Sequence, residues 1–108
     1  MSDFFIKQND TSPAMQIQFL DGDGDPVSIS GGTVKFKMSR FNTGEKIVDS
    51  NAIIANGEIG IAYYLWNAAD TAQQGVFKSE FEVTYSDGYV ETFPNDGYIT
   101  IDIREDLD

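Results

Sequence analysis

The stretch of sequence that decides the fold runs from residue 75 to residue 104 and reads GVFKSEFEVTYSDGYVETFPNDGYITIDIR. Within Phe77–Tyr85, apolar or small residues alternate with Lys, Glu and Thr. A period of two with charge on one side is typical of a half-buried antiparallel strand. The same alternation near the end of the stretch places a row of isoleucines on the core side: Ile99, Ile101 and Ile103. We therefore expect strands here that each turn one face to a core.

Asp87-Gly88 separates the first of these strands from the next, and this dipeptide favours a two-residue hairpin loop. We predict that loop because it places the apolar Val90 on the core side of the return strand. Phe93 then faces outward. A three-residue loop would instead place Glu91 opposite Val83.

Outward from this stretch, short apolar–polar alternations separated by Gly, Pro, Asn and Asp predict further strands. They lie at Phe4–Gln8, Met15–Phe19, Thr33–Ser39, Lys46–Asp49, Ala52–Ala55 and Ile59–Leu65. Asn67–Ala72 is predicted to form one helical turn with Asn67 as its cap. The close spacing favours an all-β fold, an immunoglobulin-like antiparallel β-sandwich of about seven to nine short strands. We expect a single domain over residues 1–108, with an acidic tail at about 105–108.

The composition limits what the chain can bind. Its 108 residues include 18 Asp and Glu against seven Lys and Arg, a formal net charge of −11, and neither Cys nor His. Thiolate metal sites, disulfides and imidazole chemistry are therefore excluded. The negative charge repels phosphate backbones and anionic lipids, so neither nucleic acid nor a membrane is expected as a partner. The N-terminal residues lack a signal-peptide pattern, so we do not expect the chain to be exported on its own.

One motif has the spacing of a metal site. Asp21, Asp23 and Asp25 alternate with glycine, as at the start of a calcium-binding loop. The pattern then fails, because Pro26 stands at the sixth position and Gly32 at the twelfth, where Gly and Glu are required. Turn geometry alone also explains Asp and Gly in a hairpin loop. We favour the turn, with the three aspartates as weak metal candidates.

Four aromatic residues are predicted to lie on outward faces and are the interface candidates: Tyr64, Trp66, Tyr89 and Phe93. If Ile59 and Ile61 face the core, Tyr64 and Trp66 face away from it. Exposed aromatics on a sandwich form a contact patch for a partner. Two alternatives remain open: short loops cover these rings, or the strand register differs by one residue and exchanges the two faces.

The sequence has no pattern that supports catalysis. Glu80 and Glu82 lie on the same solvent-facing side of a strand, where charged side chains are expected without any catalytic role. Without histidine no serine has an evident base, and no glycine-rich phosphate loop precedes a helix. We predict a protein that is not an enzyme and that uses no cofactor.

Several segments together resemble a known family. They are FIKQNDTSPA at 5–14, LDGDGDPV at 20–27, GTVKFKM at 32–38, GVFKSEFEV at 75–83 and DGYVETFPNDGY at 87–98. The chain resembles, over nearly its whole length, the N-terminal immunoglobulin-like domain of the phage baseplate upper protein family. The run ETFPNDG at 91–97 is the most specific part, because strand periodicity does not require it.

The resemblance implies a structural protein of a tailed-phage virion, made in the cytoplasm of the infected bacterium. Such a domain would dock onto other phage structural proteins of the tail or baseplate, in multiple copies. The alternatives are a capsid decoration protein or a module that binds a glycan on the host surface. We also expect the first strand and the strand after Pro94 to be exposed sheet edges that a neighbour's strand could pair with.

Overall fold

The protein is described by a computed structural model that covers residues 3–107. Nine strands and one short 3-10 helix (Ala68–Thr71) make up its regular structure in that range. In chain order the strands are β1 (Phe4–Lys7), β2 (Met15–Gln18), β3 (Thr33–Arg40), β4 (Lys46–Asn51), β5 (Ile53–Asn56), β6 (Ile61–Tyr64), β7 (Gly75–Thr84), β8 (Val90–Phe93) and β9 (Ile99–Arg104). The helical turn expected after Asn67 is confirmed, with Asn67 as its N-cap residue.

The strands form two sheets that pack face to face. The large sheet has the order β1-β9-β7-β3-β4, and β8 pairs with the second half of β7. The small sheet has the order β2-β6-β5. The predicted all-β, immunoglobulin-like sandwich is therefore confirmed. One pair departs from the antiparallel pattern, because β1 runs parallel to β9.

The position of β9 corrects one expectation about sheet edges. The strand after Pro94 was predicted to be exposed, but β9 pairs with β1 on one side and with β7 on the other. All backbone groups of a strand between two neighbours face ladders, so β9 has no free edge to offer. The expectation for β1 stands, since it is the first strand of the sheet order.

Both sheets contribute to one core. Alternate residues of β3 and β7 are buried as predicted, including Phe36, Phe77 and Phe81. The rings of Phe36 and Tyr64 stack across the two sheets with centroids 4.6 Å apart. Buried aromatic area of this kind supplies most of the stabilisation of a small sandwich.

The β7–β8 hairpin differs from its predicted register. Phe81 lies opposite Phe93 and Val83 opposite Glu91, so the loop has three residues, Ser86–Gly88. The N–H of Tyr85 donates to the carbonyl of Tyr89 at 2.8 Å and closes this loop. Gly88 adopts a φ of 93°, the left-handed position of a three-residue hairpin. Val90 is consequently exposed and Phe93 buried, the reverse of the prediction.

The face of β6 is also the reverse of the predicted one. Ala62, Tyr64 and Trp66 are buried, whereas Ile59 and Leu65 are exposed. Both sets are apolar, so alternation alone does not select a face. The larger aromatic rings remove more apolar area from water and take the inner side. The Tyr64 hydroxyl still reaches a partner, donating to Asp70 at 2.6 Å.

Candidate docking surface

The four aromatic interface candidates do not share a surface. Tyr89 is 75 % exposed, at the tip of the β7–β8 hairpin. Tyr64, Trp66 and Phe93 are each exposed by 6 % or less and belong to the core, so the prediction that they face outward is wrong. A buried ring cannot contact a partner in the folded protein, which removes three of the four candidates.

The Asp21–Asp25 loop is held together by its own hydrogen bonds. Oδ1 of Asp21 accepts from the backbone N–H groups of Asp23 and Asp25 at 2.9 and 3.0 Å. The Asp21 N–H in turn donates to the Asp25 carbonyl at 2.9 Å. The three exposed carboxylates each place an oxygen within 4.8 Å of the others. Turn geometry accounts for the residue types here, and the three aspartates stay weak metal candidates.

An exposed apolar cluster lies on the outer face of the large sheet, the side turned away from the small sheet. It consists of Phe41, Val76 and Tyr98, which are between 41 % and 46 % exposed. The rings of Phe41 and Tyr98 meet edge to face with centroids 5.5 Å apart. The Phe41 N–H donates to the carbonyl of Val76 at 3.1 Å, which holds Phe41 beside β7. We call these three residues the apolar cluster.

Strand alternation explains why these side chains point outward. Phe77 is buried, so the preceding Val76 faces the opposite way. Tyr98 immediately precedes the inward-facing end of β9 and lies on the same side as Thr100 and Asp102 by the same rule. The sequence therefore contained the signal for this cluster in the residues beside the predicted inward rows.

Cations surround the apolar cluster. Nζ of Lys78 lies 5.9 Å from the centroid of the Tyr98 ring, within cation–π range. At the end of β3, a groove of about 440 Å³ is lined by Phe41, Val76 and Arg40, together with Asn42, Thr43 and Gly75. A second groove, of about 270 Å³, lies beside Lys78 and is lined by further lysines, namely Lys37 and Lys46, with Ser39, Ser79 and Glu80.

The basic residues are concentrated in this sheet. All seven lie in strands of the large sheet: Lys7, Lys35, Lys37, Arg40, Lys46, Lys78 and Arg104. Strands of the same sheet hold only five of the 18 carboxylates: Asp49, Glu80, Glu82, Glu91 and Asp102. The strands of the small sheet have no charged residue. Among the other carboxylates within residues 3–107, Asp70 lies in the 3-10 helix and the rest lie in loops and terminal segments, so the charge of this protein is strongly asymmetric.

Ion pairs order several of these lysines. Lys37 Nζ lies 3.0 Å from Oε2 of Glu82, and its hydrogen bond to that carboxylate raises the pKa of Lys37. Lys46 and Lys35 both approach Asp49, at 3.5 and 3.9 Å. Exposed pairs of this kind add little to stability. They do hold the lysine side chains on the outer face.

Comparison with known proteins supports the fold. Neither a protein family model nor a curated protein sequence matches this chain. Among solved structures, the crystal structure of CopC from Methylosinus trichosporium OB3b is similar, with a TM-score of 0.55 and 13% sequence identity. The alignment covers 100% of this chain and 89% of that chain. At this identity the likeness shows a shared β-sandwich fold and no shared site.

Within residues 3–107, no helix combines the length and the apolar character that crossing a bilayer requires.

Proposed function

We propose that this chain is a non-enzymatic structural and docking module of a bacteriophage virion. In this role it is a tail or baseplate component that binds other virion proteins in multiple copies. The proposal assigns it no catalytic step and no cofactor. The sequence resemblance supplies the phage context, and the sandwich fold is compatible with that resemblance.

One observation carries the docking part of this proposal. The apolar cluster of Phe41, Val76 and Tyr98 lies exposed on a sheet face and is flanked by cations. An apolar centre with a charged rim is the usual composition of a protein–protein interface. Val76 is fixed within β7, and the backbone hydrogen bond of Phe41 to Val76 and its ring contact with Tyr98 tie the other two residues to it. Such contacts reduce the entropy cost of ordering the patch on binding.

The experiment is to look for the protein in purified phage particles. We expect mass spectrometry of gradient-purified particles to find the chain at a constant ratio to the major structural proteins. Gold-labelled antibodies should mark one position, the tail tip for a baseplate component or the head for a capsid decoration protein. Absence of the chain from washed, infectious particles would overturn the proposal.

Two variants test whether the apolar cluster is needed for the protein to be incorporated into the particle. Phe41→Glu places a charge in the apolar cluster, whereas Leu65→Glu places one at an exposed apolar residue that follows β6. We expect particles assembled in the presence of Phe41→Glu to lack the protein, and those with Leu65→Glu to retain it. Matching thermal unfolding midpoints of the two variants would show that both are folded.

The residue on which the glycan-binding alternative depends is buried. It relied on an exposed Trp66, and that ring is buried between Phe4, Phe36 and Tyr64. Aromatic platforms for sugars need an open ring face. Host-surface adhesion through Trp66 is therefore not proposed again.

A further inference from the structure

We infer that the outer face of the large sheet binds the acidic end of a second copy of this chain. The outer face consists of the outward residues of β1, β3, β4, β7 and β9, together with the apolar cluster. The acidic end consists of the loops 20–26, 57–60 and 86–88. This inference deepens the docking role proposed above, and it does not depend on the virion as the setting.

The three loops of the acidic end are neighbours in space. The Phe19 N–H donates to the Gly60 carbonyl at 2.8 Å, and the Ile29 N–H donates to the Gly57 carbonyl at 2.7 Å. Gly31, which follows the first loop, lies against the side chain of Ser86. These contacts anchor the three loops close to one another, and the loops carry five exposed carboxylates and no basic residue: Asp21, Asp23, Asp25, Glu58 and Asp87.

The outer face has the opposite charge. Strand alternation places five basic residues there: Lys7, Lys35, Lys37, Lys78 and Arg104. A register shift between β3 and β4 adds Lys46, which lies opposite the outward Ser39. Alternation also places four carboxylates beside them: Asp49, Glu80, Glu82 and Asp102. The face is thus net positive in a protein whose net charge is −11. Complementary charge of this kind selects a partner and fixes its orientation.

The two surfaces also both expose large apolar residues, in addition to their complementary charges. The acidic end exposes Leu20 and Ile59 beside its carboxylates, and the exposed Tyr89 directly follows its third loop. The outer face exposes the apolar cluster beside its cations. Each surface therefore offers large apolar side chains beside charged groups, with positive charge in excess on the outer face and negative charge on the acidic end.

The two surfaces lie at different places on the molecule. Thr33 pairs with Thr84 next to the acidic end, and Arg40 pairs with Phe77 next to the apolar cluster. The eight residues of β3 between these points span about 26 Å. A contact between two different surfaces of identical chains is heterologous, so it propagates into a ring or a filament. This arrangement suits a module that is present in many copies.

Overall repulsion between two acidic copies does not prevent such a contact. At physiological ionic strength the screening length is about 8 Å, so charges far from the interface contribute little. Opposite charges that touch within the interface are screened much less. The complementary charges within the interface therefore decide whether two copies associate.

The experiment uses charge reversal in pairs. The face variant is Lys46→Glu/Lys78→Glu, and the end variant is Asp23→Lys/Asp25→Lys, which leaves the loop-forming Asp21 in place. The control is Asp10→Lys/Asp106→Lys, which changes the net charge from −11 to −7 as the end variant does, but outside both surfaces. Sedimentation velocity over a concentration series measures self-association, and circular dichroism verifies the fold.

We expect the wild-type chain to self-associate reversibly and each single-surface variant to weaken this by about tenfold or more. Mixing the face and end variants should restore association, because each reversed surface then meets its complement. The control should associate at least as well as the wild type, since its lower net charge reduces repulsion.

Three results would overturn the inference. They are a monomeric wild type over the whole series, an end variant that associates as strongly as the control, and a mixture that stays monomeric. A wild type that binds only other acidic proteins would identify an unrelated occupant and would likewise overturn it. All of these are measured on purified protein, so they are independent of whether the chain is found in phage particles.

Discussion

The hydroxyl of Tyr85 donates a hydrogen bond to Oε1 of Glu91 across the β7–β8 hairpin, at a distance of 2.6 Å. Oε2 of the same carboxylate accepts from Nδ2 of Asn95 at 2.9 Å. Glu91 thereby connects the hairpin to the turn that follows β8. In the two-residue register these two side chains would lie on opposite faces of the strands, so the hydrogen bond belongs to the three-residue loop.

This contact predicts how stability depends on alkaline pH. Burial, followed by the hydrogen bond and the negative charge of Glu91, raises the pKa of Tyr85 from 10.0 to about 12. A group whose folded pKa is raised contributes stability that is complete below its unfolded pKa and is lost as pH rises through the folded one. We expect the unfolding free energy of the wild type to fall more steeply between pH 10 and pH 12 than that of Tyr85→Phe. Chemical denaturation at a series of pH values measures the difference, and parallel curves would contradict the assignment.

Two glycine substitutions separate backbone strain from steric overlap. Gly60 and Gly88 both have positive φ values, 68° and 93°. A Cβ at Gly88 would meet open space, whereas one at Gly60 would run into the carbonyl oxygen of Val27. We expect Gly88→Ala to cost about 1–2 kcal/mol from strain alone. Gly60→Ala should cost a further 1–3 kcal/mol, roughly, from overlap. Equal unfolding free energies for the two variants would show that the overlap is relieved without cost.

The corrected positions of the aromatic residues predict opposite outcomes for two alanine variants. Trp66→Ala empties part of the core and should lower the unfolding free energy by about 3–5 kcal/mol. Tyr89→Ala removes an exposed ring and should change it by about 0.5 kcal/mol or less. Denaturant titration of both variants tests this. A Trp66→Ala protein as stable as the wild type would place that ring outside the core.

The Asp21–Asp25 loop is predicted to keep its shape without a metal ion. Asp21→Asn retains a side-chain oxygen for the N–H groups of Asp23 and Asp25, whereas Asp21→Ala removes it and should cost about 1 kcal/mol. We expect a calcium chelator to leave the thermal unfolding midpoint of the wild type unchanged. A midpoint that rises with added calcium, and no longer does so in Asp23→Asn/Asp25→Asn, would instead establish a calcium site.

Sequence patterns predicted the fold well wherever one face of a strand was charged. In β3 and β7 the lysines and glutamates identify the wet side, so the burial of Phe36 and Phe81 followed directly. In β6 both faces are apolar, and alternation could not distinguish them. In β8 a difference of one loop residue exchanged Val90 and Phe93. Tyr64 lies in β6, Trp66 follows that strand by two residues with the same alternation, and Phe93 lies in β8. For that reason the structure moves these three interface candidates into the core.

The same alternation could have predicted part of the candidate docking surface. Val76 and Tyr98 lie next to residues whose inward direction was predicted correctly. Their exposure follows from alternation, but their contact with Phe41 does not. Phe41 lies beyond the end of β3, and only the backbone hydrogen bond to Val76 brings it to the cluster.

The sequence by itself determined the class of the fold, the inner rows of the charged strands and the excess of negative charge, because each depends on residue type and on a period of two along one chain. The tertiary structure alone decided the hairpin register, the inner face of β6, and the placement of five loop carboxylates on the acidic end and six cations on the outer face. These depend on which strands become neighbours and on how much ring area their pairing removes from water, and both are properties of the packed sheets rather than of any one segment.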